Sequence, residues 1–137
     1  MAMTVGVDVG STTVKIVILK NGELVYRQYE RHMSQVRPKT LELLRGAKGL
    51  LETEPFTVAL SGSAGLGMAK GASLPFIQEV FATGEVVERT APDTDVVIEL
   101  GGEDAKIIFF TGCLEERMNG SCAGGTGAFI DQMATLM

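Results

Sequence analysis

The chain has 137 residues, 45% hydrophobic and 21% charged, with 17 acidic side chains against 12 basic ones and a formal net charge of −5. That length buries about two thirds of the unfolded surface, enough for one real core, so the chain is one domain or part of one. An acidic balance without a basic run argues against nucleic acid as main partner, and no apolar stretch nears the ~20 residues of a bilayer span, so no membrane partner is expected.

Taken in order, Thr4–Gly10 alternates Val5, Val7 and Val9 with Gly6 and Asp8, the period of a strand. The turn Gly10-Ser11-Thr12-Thr13 leads to a second apolar run, Val14–Leu19. Asn21-Gly22 then predicts a hairpin, because both positions accept positive φ, and Leu24–Glu30 completes a three-stranded meander. Arg31–Arg37 reads as a polar loop, and its His32, the chain's single histidine, as a solvated surface residue without a role. Pro38 can open a helix whose face is Leu43, Leu44, Ala47, Leu50 and Leu51, weakened by Gly46 and Gly49. Phe56–Leu60 reads as a buried strand and Ser61–Gly67 as a small-residue loop. Phe76–Arg89 reads as a helix ended by Ala91-Pro92-Asp93. Val96–Leu100 and Lys106–Phe110 read as strands around Gly101-Gly102-Glu103-Asp104, and Ala128–Met137 as a last helix with no stop signal, so the chain is expected to be an excised piece of a longer protein. The order β-β-β-α-β-α-β-β-α predicts an α/β domain with a mixed sheet.

Three glycine loops carry the chemistry. Asp8-Val9-Gly10-Ser11-Thr12-Thr13-Val14-Lys15 and Glu99-Leu100-Gly101-Gly102-Glu103-Asp104-Ala105-Lys106 share one plan: a carboxylate at a strand end, a glycine turn, and a lysine on the returning strand. Such turns let main-chain N–H groups approach phosphate oxygens, and Ser11, Thr12 and Thr13 add hydroxyl donors. A carboxylate beside phosphates repels them unless it works through Mg²⁺ or its water shell, so Asp8 is expected to hold Mg²⁺ through water. The third loop, Met118–Gly127, holds Cys122 and four glycines directly before the last helix. A helix start attracts anions and lowers thiol pKa, so this turn offers both a phosphate cradle and a soft metal ligand. The plain alternative is a glycine-rich connection with a small buried cysteine. Cys113 and Cys122 lack zinc-pair spacing, and two cysteines without an export signal are expected in a reducing cytoplasm. A P-loop is excluded, since Gly62-Ser63-Ala64-Gly65-Leu66-Gly67 is followed by Met68 rather than Lys.

The first two loops resemble the phosphate-1 and phosphate-2 elements of the acetate kinase, sugar kinase, heat-shock chaperone and actin superfamily, whose lobes are ribonuclease-H-like. Within it, Asn119-Gly120-Ser121-Cys122-Ala123-Gly124-Gly125-Thr126-Gly127, with Phe129–Ala134 and Phe76–Val80, resembles the activator ATPases of 2-hydroxyacyl-CoA dehydratases and benzoyl-CoA reductases, the BadF/BadG/BcrA/BcrD type. The resemblance implies a mixed five-stranded sheet with flanking helices, residues 1–137 being the first ATPase lobe of a long multidomain activase, without the second lobe and its adenosine pocket. It implies ATP/ADP and Mg²⁺ as cofactors. It also implies a homodimer bridged by one [4Fe–4S] cluster, and one-electron transfer to a dehydratase or reductase acceptor driven by ATP. By position, Cys122 matches a cluster ligand, the second lying beyond Met137, while Cys113 matches none. Gly10, Ser11, Thr12, Thr13, Lys15, Gly101, Gly102, Glu103, Gly124, Gly125 and Thr126 would hold the nucleotide, and Glu99 or Asp104 would orient the attacking water.

Three departures stand out. Glu99 and Glu103 replace the Asp and Gln more usual in the second loop, Ser61–Gly67 lacks the family's tyrosine and arginine, and the second lobe is missing. A lone lobe is expected to bind nucleotide weakly, turn over little and lack the cluster. Two other readings use the same loops: a lobe of a small-molecule kinase transferring phosphoryl to a hydroxyl or carboxylate, and a nucleotide-switched assembly module without a redox role. Iron bound through Cys122 separates the activator from both.

Overall fold

The computed structural model describes residues 3–112, 114–118 and 126–137. They form two compact units, Met1–Ile77 and Gln78–Met137.

The first unit is built on a four-stranded mixed sheet in the order β3-β2-β1-β4. Its strands are β1 (Met3–Val9), β2 (Thr13–Lys20), β3 (Glu23–Arg31) and β4 (Phe56–Ser61). The β1–β2–β3 meander is antiparallel, and β4 runs parallel to β1. Asn21 (φ 54°) and Gly22 (φ 84°) make the tight turn between β2 and β3 that their types predict. The pleat turns Val5, Val7 and Val9 to the same face as their partners Ile18, Ile16 and Val14, and all six are buried. Each such side chain contributes about 1.5–3 kcal/mol relative to exposure.

Two helices, α1 (Val36–Gly46) and α2 (Lys48–Leu51), cover this face with Leu43 and Ala47, and Leu44, Leu50 and Leu51 pack beside them. The single helix expected from Pro38 to Leu51 is thus broken at Ala47, between its two glycines. Gly46 has a reason to be there: a Cβ on it would lie 3.1 Å from the Tyr26 hydroxyl oxygen.

The small-residue segment after β4 is not simply a loop. Gly62 (φ 93°) turns the chain, the Ala64 N–H donates to the Val9 carbonyl (2.9 Å), and α3 (Gly65–Ala72) follows. Its small residues allow close approach, since a Cβ on Gly65 would lie 3.8 Å from Val9 Cβ. Phe76, expected on a helix, instead forms a parallel bridge with Leu60. The Leu60 N–H donates to Pro75 O (2.9 Å) and the Ile77 N–H to Leu60 O (2.8 Å). Phe76 therefore packs on the first unit's core.

The second unit contains α4 (Glu79–Thr90), β5 (Val96–Leu100), β6 (Ala105–Phe109), β7 (Glu115–Met118) and α5 (Gly127–Leu136). Its sheet is antiparallel, in the order β5-β6-β7, with Ile108 fully buried at its centre. Gly84 of α4 faces Leu114 and Phe110, which a Cβ there would meet at ordinary contact distances of 3.6 and 3.8 Å. The described strands thus form a four-stranded mixed sheet and a three-stranded one rather than a single sheet of five. The strand that residue order missed is β7, a short polar segment without apolar alternation. Among the described residues, no helix is long and apolar enough to cross a membrane.

Candidate functional site

The first loop sits at the end of β1, where a strand stops pairing and backbone groups become available. The Gly10 N–H donates to Thr13 O (2.9 Å), closing the turn. Ser11 is exposed, Thr12 half-buried and Thr13 buried. Asp8 points one oxygen, Oδ2, at Lys15 Nζ (2.7 Å), its register partner on β2. Lys15 also lies over the Tyr29 ring, 5.4 Å from its centre. Lys15 is therefore positioned by Asp8 and the Tyr29 ring.

The other Asp8 oxygen, Oδ1, is buried and makes no hydrogen bond among the described residues. The same holds for Ser61 Oγ, and Ser61 is the register partner of Asp8 on β4. Gly62 follows immediately, and a Cβ there would lie 2.6 Å from Asp8 Oδ1 and overlap the Val9 carbonyl. Two unsatisfied oxygens on paired strand ends, kept clear by a glycine, suit water or a hydrated cation, because a buried polar atom without a partner is costly. No group of three or more His, Cys, Asp or Glu among the described residues is arranged to hold a metal ion. A cation at Asp8 would thus be held by one carboxylate through water and by its ligand, the mode typical of Mg²⁺.

His32 is where sequence reading fails. Expected on the solvated surface, it is only 4% exposed. Its ring and main chain contact the carbonyls of the first loop: Nε2 lies 3.1 Å from Gly10 O, and the His32 N–H donates to Thr12 O (3.1 Å). The signal lay in the hairpin register. The turn at Asn21-Gly22 pairs Thr13 with Arg31, and one further step sets residue 32 beside residue 12. Ser61 was likewise missed as a site residue, because its significance depends on the parallel pairing of β1 with β4.

The second loop is built around Gly101. Its N–H donates to Asp104 O (2.8 Å), and a Cβ on it would overlap Asp104 Oδ1, so only glycine lets that carboxylate fold over the turn. Glu99 faces Lys106 across the β5–β6 ladder. Lys106 is 6% exposed and forms an ion pair with Glu79 of α4, with Glu99 Oε1 at 3.9 Å and Asp104 Oδ2 at 3.7 Å. Burial alone would lower the Lys106 pKa. The hydrogen bond to Glu79 and the fields of Glu99, Glu79 and Asp104 together outweigh burial and raise it above 10.5. The lysine thus holds the two candidate catalytic carboxylates of this loop within reach of one cation, in the same unit. Glu103 is exposed at the tip.

The start of α5 is attached to this loop. The Gly127 N–H donates to Gly101 O (2.7 Å) and the Ala128 N–H to Gly102 O (3.1 Å). Two of the helix's leading donors are therefore engaged by carbonyls of the second loop. Thr126, at the N-cap, is fully buried. Cys122, Gly124 and Gly125, like Cys113, lie outside the described residues.

No family model matches the chain. Individual relatives do. The 2-hydroxyisocaproyl-CoA dehydratase activator of Clostridioides difficile is 33% identical over 98% of this chain and 52% of its own length. Its solved structure, with bound ADPNP, superposes with a TM-score of 0.78 over the same shares of the two chains. The (R)-2-hydroxyglutaryl-CoA dehydratase activating ATPase of Acidaminococcus fermentans is 30% identical over 98% of this chain and 53% of its own. The crystal structure of that dehydratase's component A gives a TM-score of 0.79 at 28% identity, over 99% of this chain and 54% of the other. A member of the Ppx/GppA family from Aquifex aeolicus, at 14% identity and a TM-score of 0.56, shares the fold alone. The fold is accordingly that of a ribonuclease-H-like lobe of the actin-like superfamily. By sequence and by fold, the chain is similar to the activator ATPases of 2-hydroxyacyl-CoA dehydratases, and it spans about half the length of the relatives it matches.

Proposed function

We propose that this chain is the first ATP-handling lobe of an activator that drives one-electron transfer to a 2-hydroxyacyl-CoA dehydratase or related reductase in the cytoplasm. The observation that carries the reading is the end of β1. There Asp8 Oδ1 and Ser61 Oγ are buried without partners beside a glycine loop, in a chain similar to an activator solved with a bound ATP analogue. Asp8 holds the hydration shell of Mg²⁺. Ser11, Thr12 and Thr13 donate to phosphate oxygens around the turn that Gly10 closes, and Gly101, Gly102, Glu103 and Thr126 belong to the second phosphate element. Glu99 or Asp104 orients the attacking water, with Lys106 balancing their charge. Cys122, two and three residues before Gly124 and Gly125 in the sequence, would ligate the iron–sulfur group as thiolate, a soft ligand suited to iron. When bound between two subunits, that [4Fe–4S] group supplies the transferred electron.

ATP can drive this only if it prefers one closure of two lobes over another. Electron transfer is therefore a property of the longer homodimeric protein. The test is anaerobic purification of that protein with iron and sulfide measured, alongside its Cys122→Ala variant. Four irons per dimer lost on substitution, with ATP binding retained, is the expected result. Iron-free protein that phosphorylates a small-molecule hydroxyl or carboxylate would refute it in favour of a kinase, and iron-free protein that only changes assembly with nucleotide would refute it in favour of a switch module.

A further inference from the structure

Two contacts of His32, from its ring to Gly10 O and from its N–H to Thr12 O, bear on the shape of the Gly10–Thr13 turn. The side chain is 4% exposed, beyond the end of β3. The Ser34 N–H donates to Nδ1 (3.2 Å), so Nδ1 must accept and Nε2 carries the hydrogen that it donates to Gly10 O (3.1 Å). The return of Ser34 onto the ring requires two consecutive non-glycine residues in the left-handed region, Met33 (φ 47°) and Ser34 (φ 63°). Such a conformation is uncommon outside glycine and persists where surrounding structure holds it. The Gln35 N–H closes the same turn onto His32 O (2.7 Å). A strained turn thus fixes the tautomer and aim of one buried imidazole.

That aim has a consequence for the loop. In a trans peptide the carbonyl and the next N–H point in opposite directions. With Gly10 O drawn to the imidazole and Thr12 O to the His32 N–H, the Ser11 and Thr13 N–H groups are turned away from His32. The carbonyls, which repel phosphate, face the histidine, while the donors face the other side. Gly10 is the residue with freedom to flip this peptide, so an outside clamp on its carbonyl matters most there.

We propose that His32 is a positioning residue that sets the orientation of the Gly10–Ser11 peptide for phosphate binding, through the hydrogen bond from Nε2 to the Gly10 carbonyl. The proposal rests on the nucleotide reading of this loop. Two variants separate the contacts: His32→Gln can place an amide N–H near the Nε2 position, whereas His32→Asn keeps an acceptor for the Ser34 N–H and loses the reach to Gly10. The experiment is titration of the ¹⁵N-labelled chain with Mg·ATP, followed by amide shifts of residues 10–13, with the ring ¹⁵N signals of His32 recorded in the free protein. Wild type is expected to show an Nε2–H ring and saturable shifts at residues 10–13. His32→Asn should bind about five- to tenfold more weakly, the scale of one buried hydrogen bond, with His32→Gln within about twofold of wild type. A merely structural role would move melting temperature in both variants without separating their affinities. Equal affinity in wild type and His32→Asn, or an Nδ1–H ring, overturns the role of His32 and leaves the nucleotide reading standing. No shift at residues 10–13 in wild type overturns both.

Discussion

The glycine beside Asp8 offers a sharp test of how the site is built. Gly62 has φ 93°, and a Cβ added to it would overlap the Val9 carbonyl and lie 2.6 Å from Asp8 Oδ1. Gly62→Ala thus meets two costs. The left-handed backbone costs about 1–2 kcal/mol, and the overlap, with backbone that cannot swing aside, costs about 1–3 kcal/mol more. Loss of unfolded-state freedom returns about 0.4–1 kcal/mol. The net is a loss of about 1–4.5 kcal/mol, centred near 3 kcal/mol. Two other glycines isolate the terms. Gly22 has φ 84° but nothing within 4 Å of an added Cβ, so Gly22→Ala should lose only about 1 kcal/mol. Gly67 lies in α3 with no neighbour within 4 Å and no positive φ, so Gly67→Ala should gain about 0.5–1 kcal/mol. Urea unfolding of the three variants beside wild type measures this order directly. Gly62→Ala falling level with Gly22→Ala would refute the claim that the backbone of β1 closes over position 62.

Lys106→Met should destabilise the chain by about 2–4 kcal/mol, somewhat less than a fully buried pair, because Glu79, Glu99 and Asp104 retain a quarter to a third of their exposure. Because the Lys106 pKa is raised by folding, its contribution is complete below pH 10.5 and lost as pH rises through the folded value. The gap between wild type and Lys106→Met in thermal melts should therefore narrow above about pH 10.5, and a gap that widens there would contradict the pairing. Asp8→Asn in the proposed two-lobed activator should lower Mg²⁺-dependent ATP hydrolysis by at least about a hundredfold while leaving the fold intact, read by phosphate release and circular dichroism. The 137-residue chain alone should bind Mg·ATP weakly and hydrolyse little, and fast saturable phosphate release from it would contradict the need for two lobes.

Much of this protein could be read from residue order. Alternating valines and isoleucines forced β1 and β2, because only a period of two buries them on one face, and Asn21-Gly22 set their hairpin partner β3. The repeated order of carboxylate, glycine turn and lysine marked both loops, since that chemistry is local. Three things needed tertiary structure. Gly65–Ala72 became a helix through a turn at Gly62 and a hydrogen bond to Val9, neither of which its composition announces. Phe76 left its expected helix to pair with Leu60. His32 moved from an assumed surface position to the back of the first loop. Each depends on a partner far away in the chain. Residue type determines what a backbone segment prefers and what chemistry a side chain carries, but which carbonyl an imidazole meets, and which oxygens are left without partners, is decided only when strands distant in sequence come into register.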